Sequence, residues 1–442
     1  MRIAYIAAGA GPMYCGACHR DAALFRALGS SGHPLLAIPL YTPLRTDLPV
    51  ICSMSPVFMG GIGMYLEQAM ALFRHVPAVF RRQLDRPGLL RGVSRMAIHT
   101  DPAKLGPLTV GMLAGTQGPH AGEIERLVDF LRRDFRPDIV NLSNSMLASL
   151  AGPLRSALGV PVVSTLQGEE SFIAALPEPY RGQAIALLRH HAASIDRFVC
   201  CGQERVAAMA QWLDLPQERF AVIPTGLDHT LFAAADASAP RPRGVGPVVL
   251  GYLSSIRREK GLDLLIESAR QLVDEHRRDV RVAIAGQVLD AAYWRQVRRS
   301  IRRAGVQRRV SFRGELDLPA KVAFLRSCDI FIMPTRLAES RALVAMEALA
   351  SGLPVVAAHV GVLPELLERT EAGLTVAPDD AAVLTHGILR LMNNAPLARE
   401  FAANGPAAIA RHYSPQAMAR QTVAQYQQVL ANFPVALPAA HV

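Results

Sequence analysis

Aromatic residues are scarce in this chain, 6% of 442 positions with only two Trp. Few rings leave little for base stacking, and no nucleic-acid-binding motif accompanies them. Nucleic acid is therefore not an expected partner, despite a formal net charge of +10. Cysteine is also sparse: six residues in a chain this long do not make a disulfide framework, which points to a reducing, cytoplasmic setting. No apolar run reaches the roughly 20 residues needed to span a bilayer. The opening, MRIAYIAAGAGP, has one Arg and a short apolar run closed by Gly and Pro, which fits a first strand rather than a signal peptide. Charged residues make only 19% of the chain and hydrophobic ones 50%, which excludes a disordered polymer. Single cores stop growing near about 250–300 residues, so the length predicts two or three domains. The positive balance favours anionic partners such as phosphates or acidic lipid surfaces.

The stretch 334–365 carries the chemistry. Two buried runs, 329–334 (DIFIMP) and 354–359 (PVVAAH), read as strands covered on both faces. Between them the pattern predicts a helix over 341–351, stopped by Gly352 and followed by Pro354. Glu339 precedes that helix and Glu347 lies within it, a Glu-x7-Glu spacing. A strand end followed by a helix start is where open α/β sheets bind ligands. The N–H groups of Arg341, Ala342, Leu343 and Val344 would face an anionic group, best a phosphate. Glu347, further along, would accept hydrogen bonds from vicinal hydroxyls, as on a ribose.

These residues resemble the retaining glycosyltransferases of family four (glycosyl transferases group 1). The resemblance rests on Glu339/Glu347, on Ser351-Gly352-Leu353-Pro354-Val355-Val356 and on the turn Gly361-Val362-Leu363-Pro364-Glu365. It implies the α/β GT-B fold: two Rossmann-like, doubly wound parallel-sheet domains facing across a cleft, with a C-terminal helix crossing back to the first. The expected division is an acceptor-side domain 1–235, a linker 236–247, a nucleotide-sugar domain 248–412, the crossover helix 413–433 and a tail 434–442. The implied activity is transfer of a sugar from a nucleotide-diphosphate donor to an acceptor, with retention, no metal and no other cofactor. Glu339 would contact the donor sugar and Glu347 the ribose. Lys260, with Arg257 or Arg258, would hold the diphosphate. Leu316, in the loop 313–316, would lie beside the base, and Gly16 would let backbone approach the donor. The family's Arg before Lys-Gly is Ser255 here, its Gly beside the helix start is Ala342, and its strand-end His is Gln167. Gln cannot transfer a proton but can hydrogen-bond a hydroxyl or the leaving phosphate. Glu169 and Glu170 are the nearby ionisable alternatives on the acceptor side.

The N-terminal Met-Tyr-Cys-Gly-x-Cys start and the loop Tyr41–Asp47 resemble one subgroup of these enzymes, with Tyr41, Arg45 and Asp47 as acceptor-side candidates. Cys15 and Cys18 at a helix start could also form a reactive dithiol, which makes a thiol redox protein one alternative reading. A catalytically weakened sugar-nucleotide- or glycan-binding relative is another. The Arg-rich, apolar-interleaved stretch 66–95 suggests peripheral contact with an acidic membrane face. The arginines of 295–303 read as a solvated helix face.

Overall fold

Short aliphatic runs buried along their whole length set the architecture: IAYIA at β1 (Ile3–Ala7), LLAIP at β2 (Leu35–Pro39), IVNL and VVST further on. Strands that are buried on both faces belong to parallel sheets flanked by helices. The computed structural model describes residues 1–8, 16–40, 53–54, 102–232 and 246–434. These divide into two units. One comprises Met1–Cys201, Val206–Pro224 and Met418–Val442; the other comprises Gly202–Arg205 and Thr225–Ala417.

The first unit continues with β3 (Ser53–Met54), β4 (Ile139–Leu142), β5 (Val162–Thr165), β6 (Arg197–Cys200) and β7 (Phe220–Val222). All pair in parallel, in the order β3-β2-β1-β4-β5-β6-β7. Helix Gly16–Gly29 follows β1 as the crossover to β2. It packs with the C-terminal helix Pro415–Asn432 on one face of the sheet, where Met418, Ala419, Tyr426 and Val429 join Ile3, Tyr5 and Phe25 in one core cluster. The opposite face carries Ala121–Phe130, Ala151–Leu158 and Tyr180–Ala192. A 3-10 segment, Ser145–Leu150, runs into Ala151–Leu158.

The second unit has β8 (Val248–Leu253), β9 (Val280–Ala285), β10 (Val310–Phe312), β11 (Ile330–Met333), β12 (Val355–Ala358) and β13 (Gly373–Val376). Their order is β10-β9-β8-β11-β12-β13, again parallel throughout. Leu227 and Phe232, ahead of β8, are buried in this unit's core. The Arg-rich stretch 66–95 and most of the expected linker lie outside the described residues. No described helix is long and apolar enough to cross a membrane.

Candidate functional site

In each sheet the strand order reverses once, between β1 and β4 and between β8 and β11. The ends of strands that flank such a reversal leave a crevice, because their connections depart in opposite directions. In the second unit this crevice is a pocket of about 50 Å³, lined by Tyr252 and Ser254 from the end of β8, Pro334 and Thr335 from the end of β11, and Lys260, Glu339 and Val344.

The Lys260 ammonium forms an ion pair with Glu339 Oε1, and both side chains are largely shielded from solvent. Thr335 Oγ1 lies 3.4 Å from the same carboxylate oxygen. Two glycines make this proximity possible. Gly261 has φ +70°, and a Cβ there would stand 1.9 Å from the Pro334 carbonyl oxygen, so only glycine lets the Lys260 loop press onto the end of β11. Gly361 has φ +59°, and a Cβ there would come within 2.3 Å of the Glu339 backbone. The next residue, Val362, donates its N–H to the Glu339 carbonyl at 2.9 Å. The turn after β12 thus clasps Glu339 from behind.

Arg336, which sequence reasoning passed over, ties this ground together. Its guanidinium donates to both Asp263 oxygens at 2.9 Å, to the Arg258 carbonyl at 2.8 Å and to Asp379 at 2.5 Å. Its backbone N–H donates to the Glu259 carbonyl at 2.7 Å. Tyr293 adds a hydroxyl donor to Asp263 at 2.6 Å. Burial opposes the Asp263 charge, but the Arg336 fork and the Tyr293 hydroxyl outweigh it and hold the carboxyl below its usual range. The loop bearing Ser255, Arg257, Arg258 and Lys260 is therefore fixed by a bidentate ion pair. Ser255 and Arg257 are half-buried in it and Arg258 is exposed.

The expected helix over 341–351 spans Leu343–Ala350. Arg341 and Ala342 precede it, because Ala342 takes a left-handed backbone (φ 50°, ψ 32°) and caps the helix instead of opening it. The resemblance placed a glycine at this spot, and the positive φ gives the physical reason. Of the four N–H groups proposed to face an anion, Leu343 and Val344 are in the first helical turn, and Val344 lines the pocket. Glu347, expected to accept from the vicinal hydroxyls of a ribose, has a buried carboxylate that accepts from Lys321 Nζ at 2.8 Å. It is not among the residues lining the pocket. Lys321 lies on another helix, Leu318–Arg326, with its ammonium 5.9 Å from the Phe232 ring centroid. No local signal in the sequence joins it to Glu347. Leu316, near the base by resemblance, is half-buried against the second unit's core.

The first unit's crevice has a different chemistry. Gln167, just past β5, donates its side-chain amide to the Ser143 carbonyl at 2.7 Å and towards Asp21 Oδ1 at 3.4 Å. With acceptors on both sides, that amide is engaged within the first unit. Asp21 also accepts from the Tyr5 hydroxyl at 2.8 Å and from the Arg20 guanidinium at 3.1 Å, all three side chains being buried. Burial, reinforced by the Asp21 charge, pushes the Tyr5 hydroxyl well above the usual phenol range. Glu169 accepts from the backbone N–H groups of Ser145 at 2.9 Å and Gln167 at 2.7 Å. Burial raises its carboxyl against those hydrogen bonds. It braces the ends of β4 and β5, while Glu170 is half-buried in the following turn. Gly16 opens helix Gly16–Gly29, and Cys18 is buried in its first turn. Cys15, Tyr41, Arg45 and Asp47 lie outside the described residues. Among the described residues no cluster of His, Cys, Asp and Glu could hold a metal ion.

Comparison with known proteins adds to this geometry. Residues 105–231 match the family model described as Glycosyltransferase Family 4, and residues 237–408 match the model described as Glycosyl transferases group 1. The lipopolysaccharide core biosynthesis mannosyltransferase LpsB of Rhizobium meliloti is 29% identical over 230 residues, covering 50% of this chain and 63% of that protein. The glycogen synthase of Mycobacterium tuberculosis is 26% identical over 401 residues, covering 84% of this chain and 92% of that one. Among solved structures, Anabaena HepE in complex with UDP superposes with TM-score 0.64 at 18% identity, over 97% of this chain and 100% of that one. The lipopolysaccharide glycosyltransferase WaaG superposes with TM-score 0.59 at 15% identity, over 95% and 99%. At such identities the superpositions speak to the fold alone. The chain has the two-domain α/β GT-B fold, and its two family-model matches support a glycosyltransferase of group 1.

Proposed function

We propose that this protein transfers a sugar from a nucleotide-diphosphate donor to an acceptor, with retention at the anomeric carbon and without a metal. The observation that carries the reading is the pocket at the β8–β11 reversal, where Lys260, Glu339 and the start of helix Leu343–Ala350 meet. A departing diphosphate needs positive charge and N–H donors. Lys260, the neighbouring Arg257 and Arg258, and the bare amides of Leu343 and Val344 supply both. Glu339, now paired with Lys260, turns to the donor sugar's hydroxyls when a phosphate takes the ammonium. Glu347, ion-paired with Lys321, is assigned to the ribose diol. Leu316 lies towards the base. No side chain here is cast as a covalent nucleophile; the front-face route that the family resemblance implies needs none. Complexes of HepE with UDP and with UDP-glucose support a uridine donor as the first to try.

On the first unit, Gln167 is assigned to the reacting centre, Gly16 to the donor, and Tyr41, Arg45, Asp47, Glu169 and Glu170 to the acceptor side. The locked amide of Gln167 favours a second reading, donor binding with little turnover. Two measurements separate these readings. A panel of nucleotide sugars is screened for an increase in melting midpoint, because a ligand of the folded state alone raises it. Turnover of the stabilising sugars is then followed in the native chain and in Lys260→Ala and Glu347→Ala. Turnover lost in both variants supports the transferase. Stabilisation without turnover supports the binding relative, and no stabilisation by any nucleotide sugar overturns both.

A further inference from the structure

Residues 291–313 contain eight Arg and no Asp or Glu, a local charge of +8 in a chain whose total is +10. Most of them belong to helix Ala291–Arg303, which buries Tyr293, Val297 and Ile301 against the second unit. At 3.6 residues per turn, Arg295, Arg299 and Arg302 fall opposite that buried stripe and Arg298 on its flank; all four are exposed. A solvated helix face ordinarily mixes charges of both signs. Here, among the described residues, Arg309 is the one arginine of the eight with an ion pair, to Asp279.

This basic face is bordered by apolar side chains. Leu289 is 59% exposed and Phe312 39% exposed, the two large hydrophobic residues most open to solvent among those described. The Trp294 ring, on the flank of the helix, lies 4.6 Å from the Phe312 ring. Phe312 ends β10, the edge strand of the sheet, and Leu289 follows β9. Both stand at the carboxyl ends of their strands, the same side of the sheet as the pocket. Leu289 is fastened there: its N–H donates to the Ile256 carbonyl at 3.2 Å, in the loop that carries Ser255 and Lys260.

We infer that this edge of the second unit, with Leu289, Trp294 and Phe312 set among unpaired arginines, docks on the surface of an anionic lipid bilayer. Arginines attract the lipid phosphates, while a Leu and two aromatic rings gain by entering the boundary between headgroups and acyl chains. A nucleic-acid backbone would satisfy the arginines but not Leu289. Docking would hold the loop 254–261 beside the headgroups. The inference stands apart from the transferase reading, because it concerns binding in the absence of donor.

The test is cosedimentation of the full chain with vesicles of phosphatidylcholine alone or mixed with phosphatidylglycerol, across a salt series. Binding to the mixed vesicles only, weakening as salt rises, is the expected result. The triple variant Arg295→Gln/Arg299→Gln/Arg302→Gln should bind on the order of 100-fold more weakly, at about fivefold per arginine. Leu289→Ser/Phe312→Ser should bind about tenfold more weakly and lose the part of binding that survives high salt. Unchanged melting midpoints show that both variants fold, as these side chains are exposed. Equal binding to neutral and mixed vesicles, no binding to either, or undiminished binding by the triple variant would each overturn the inference. So would tighter binding to duplex DNA than to the vesicles.

Discussion

The two sheet reversals occupy equivalent places in the two units and hold opposite kinds of chemistry. At β8–β11 Lys260 and Glu339, which line the pocket, pair with each other, and Arg336 pairs with Asp263 behind the Lys260 loop; all four keep some access to solvent. A ligand phosphate can take over such a cation, because the carboxylate it leaves retains access to water or to sugar hydroxyls. At β1–β4 the polar groups are sealed. Arg20, Asp21 and Tyr5 are each less than 4% exposed and bond to one another, with Gln167 drawn in from just past β5. Exchange is built into the first arrangement and excluded from the second. On the proposed reading, the same backbone topology serves as a binding site in one unit and as a brace in the other.

Removing one partner from each network tests that contrast. Asp21→Ala leaves the Arg20 charge buried without its carboxylate and should cost about 3–5 kcal/mol, read as a large fall in the denaturant midpoint. If stability barely moves, the network is not a brace. Lys260→Ala should act the other way round, with a smaller change in stability but turnover reduced on the order of 100-fold, measured as donor consumption. Gly261→Ala sharpens the picture further. It combines a left-handed backbone with a Cβ 1.9 Å from the Pro334 oxygen, so a cost of about 1–3 kcal/mol and weaker donor stabilisation are expected. A variant with native donor affinity would mean that the Lys260 loop need not press on β11.

The smallest effect concerns pH. Asp263 has a folded-state pKa below its ordinary value, so its contribution to stability is complete above the unfolded pKa and is lost as pH falls through the lower folded one. Between about pH 5 and pH 2, Asp263→Asn should flatten the acid limb of the melting curve relative to the native chain. Parallel limbs would show that the Arg336 fork does not hold Asp263 ionised.

Much of the framework was readable because it depends on local pattern. Continuous aliphatic runs marked β11 and β12, the strands on either side of Glu339 and Glu347. The helix start after Glu339 was misplaced by two residues, because a left-handed alanine looks from sequence like one more helix former. Arg336 and Lys321 were missed for another reason. Each acts through a carboxylate remote in the chain, Asp263 or Glu347, and pairs of this kind carry no periodicity.

By itself the sequence determined the parallel α/β layering, through strands apolar on every side. It also determined which segment holds paired carboxylates before and within a helix, since spacing along one element is a local property. Only the tertiary structure decided which charges meet: Lys260 with Glu339, Lys321 with Glu347, and Asp21 with Arg20 and Tyr5. The energy of an ion pair depends on separation and on exclusion of water, and both are set by how distant segments pack.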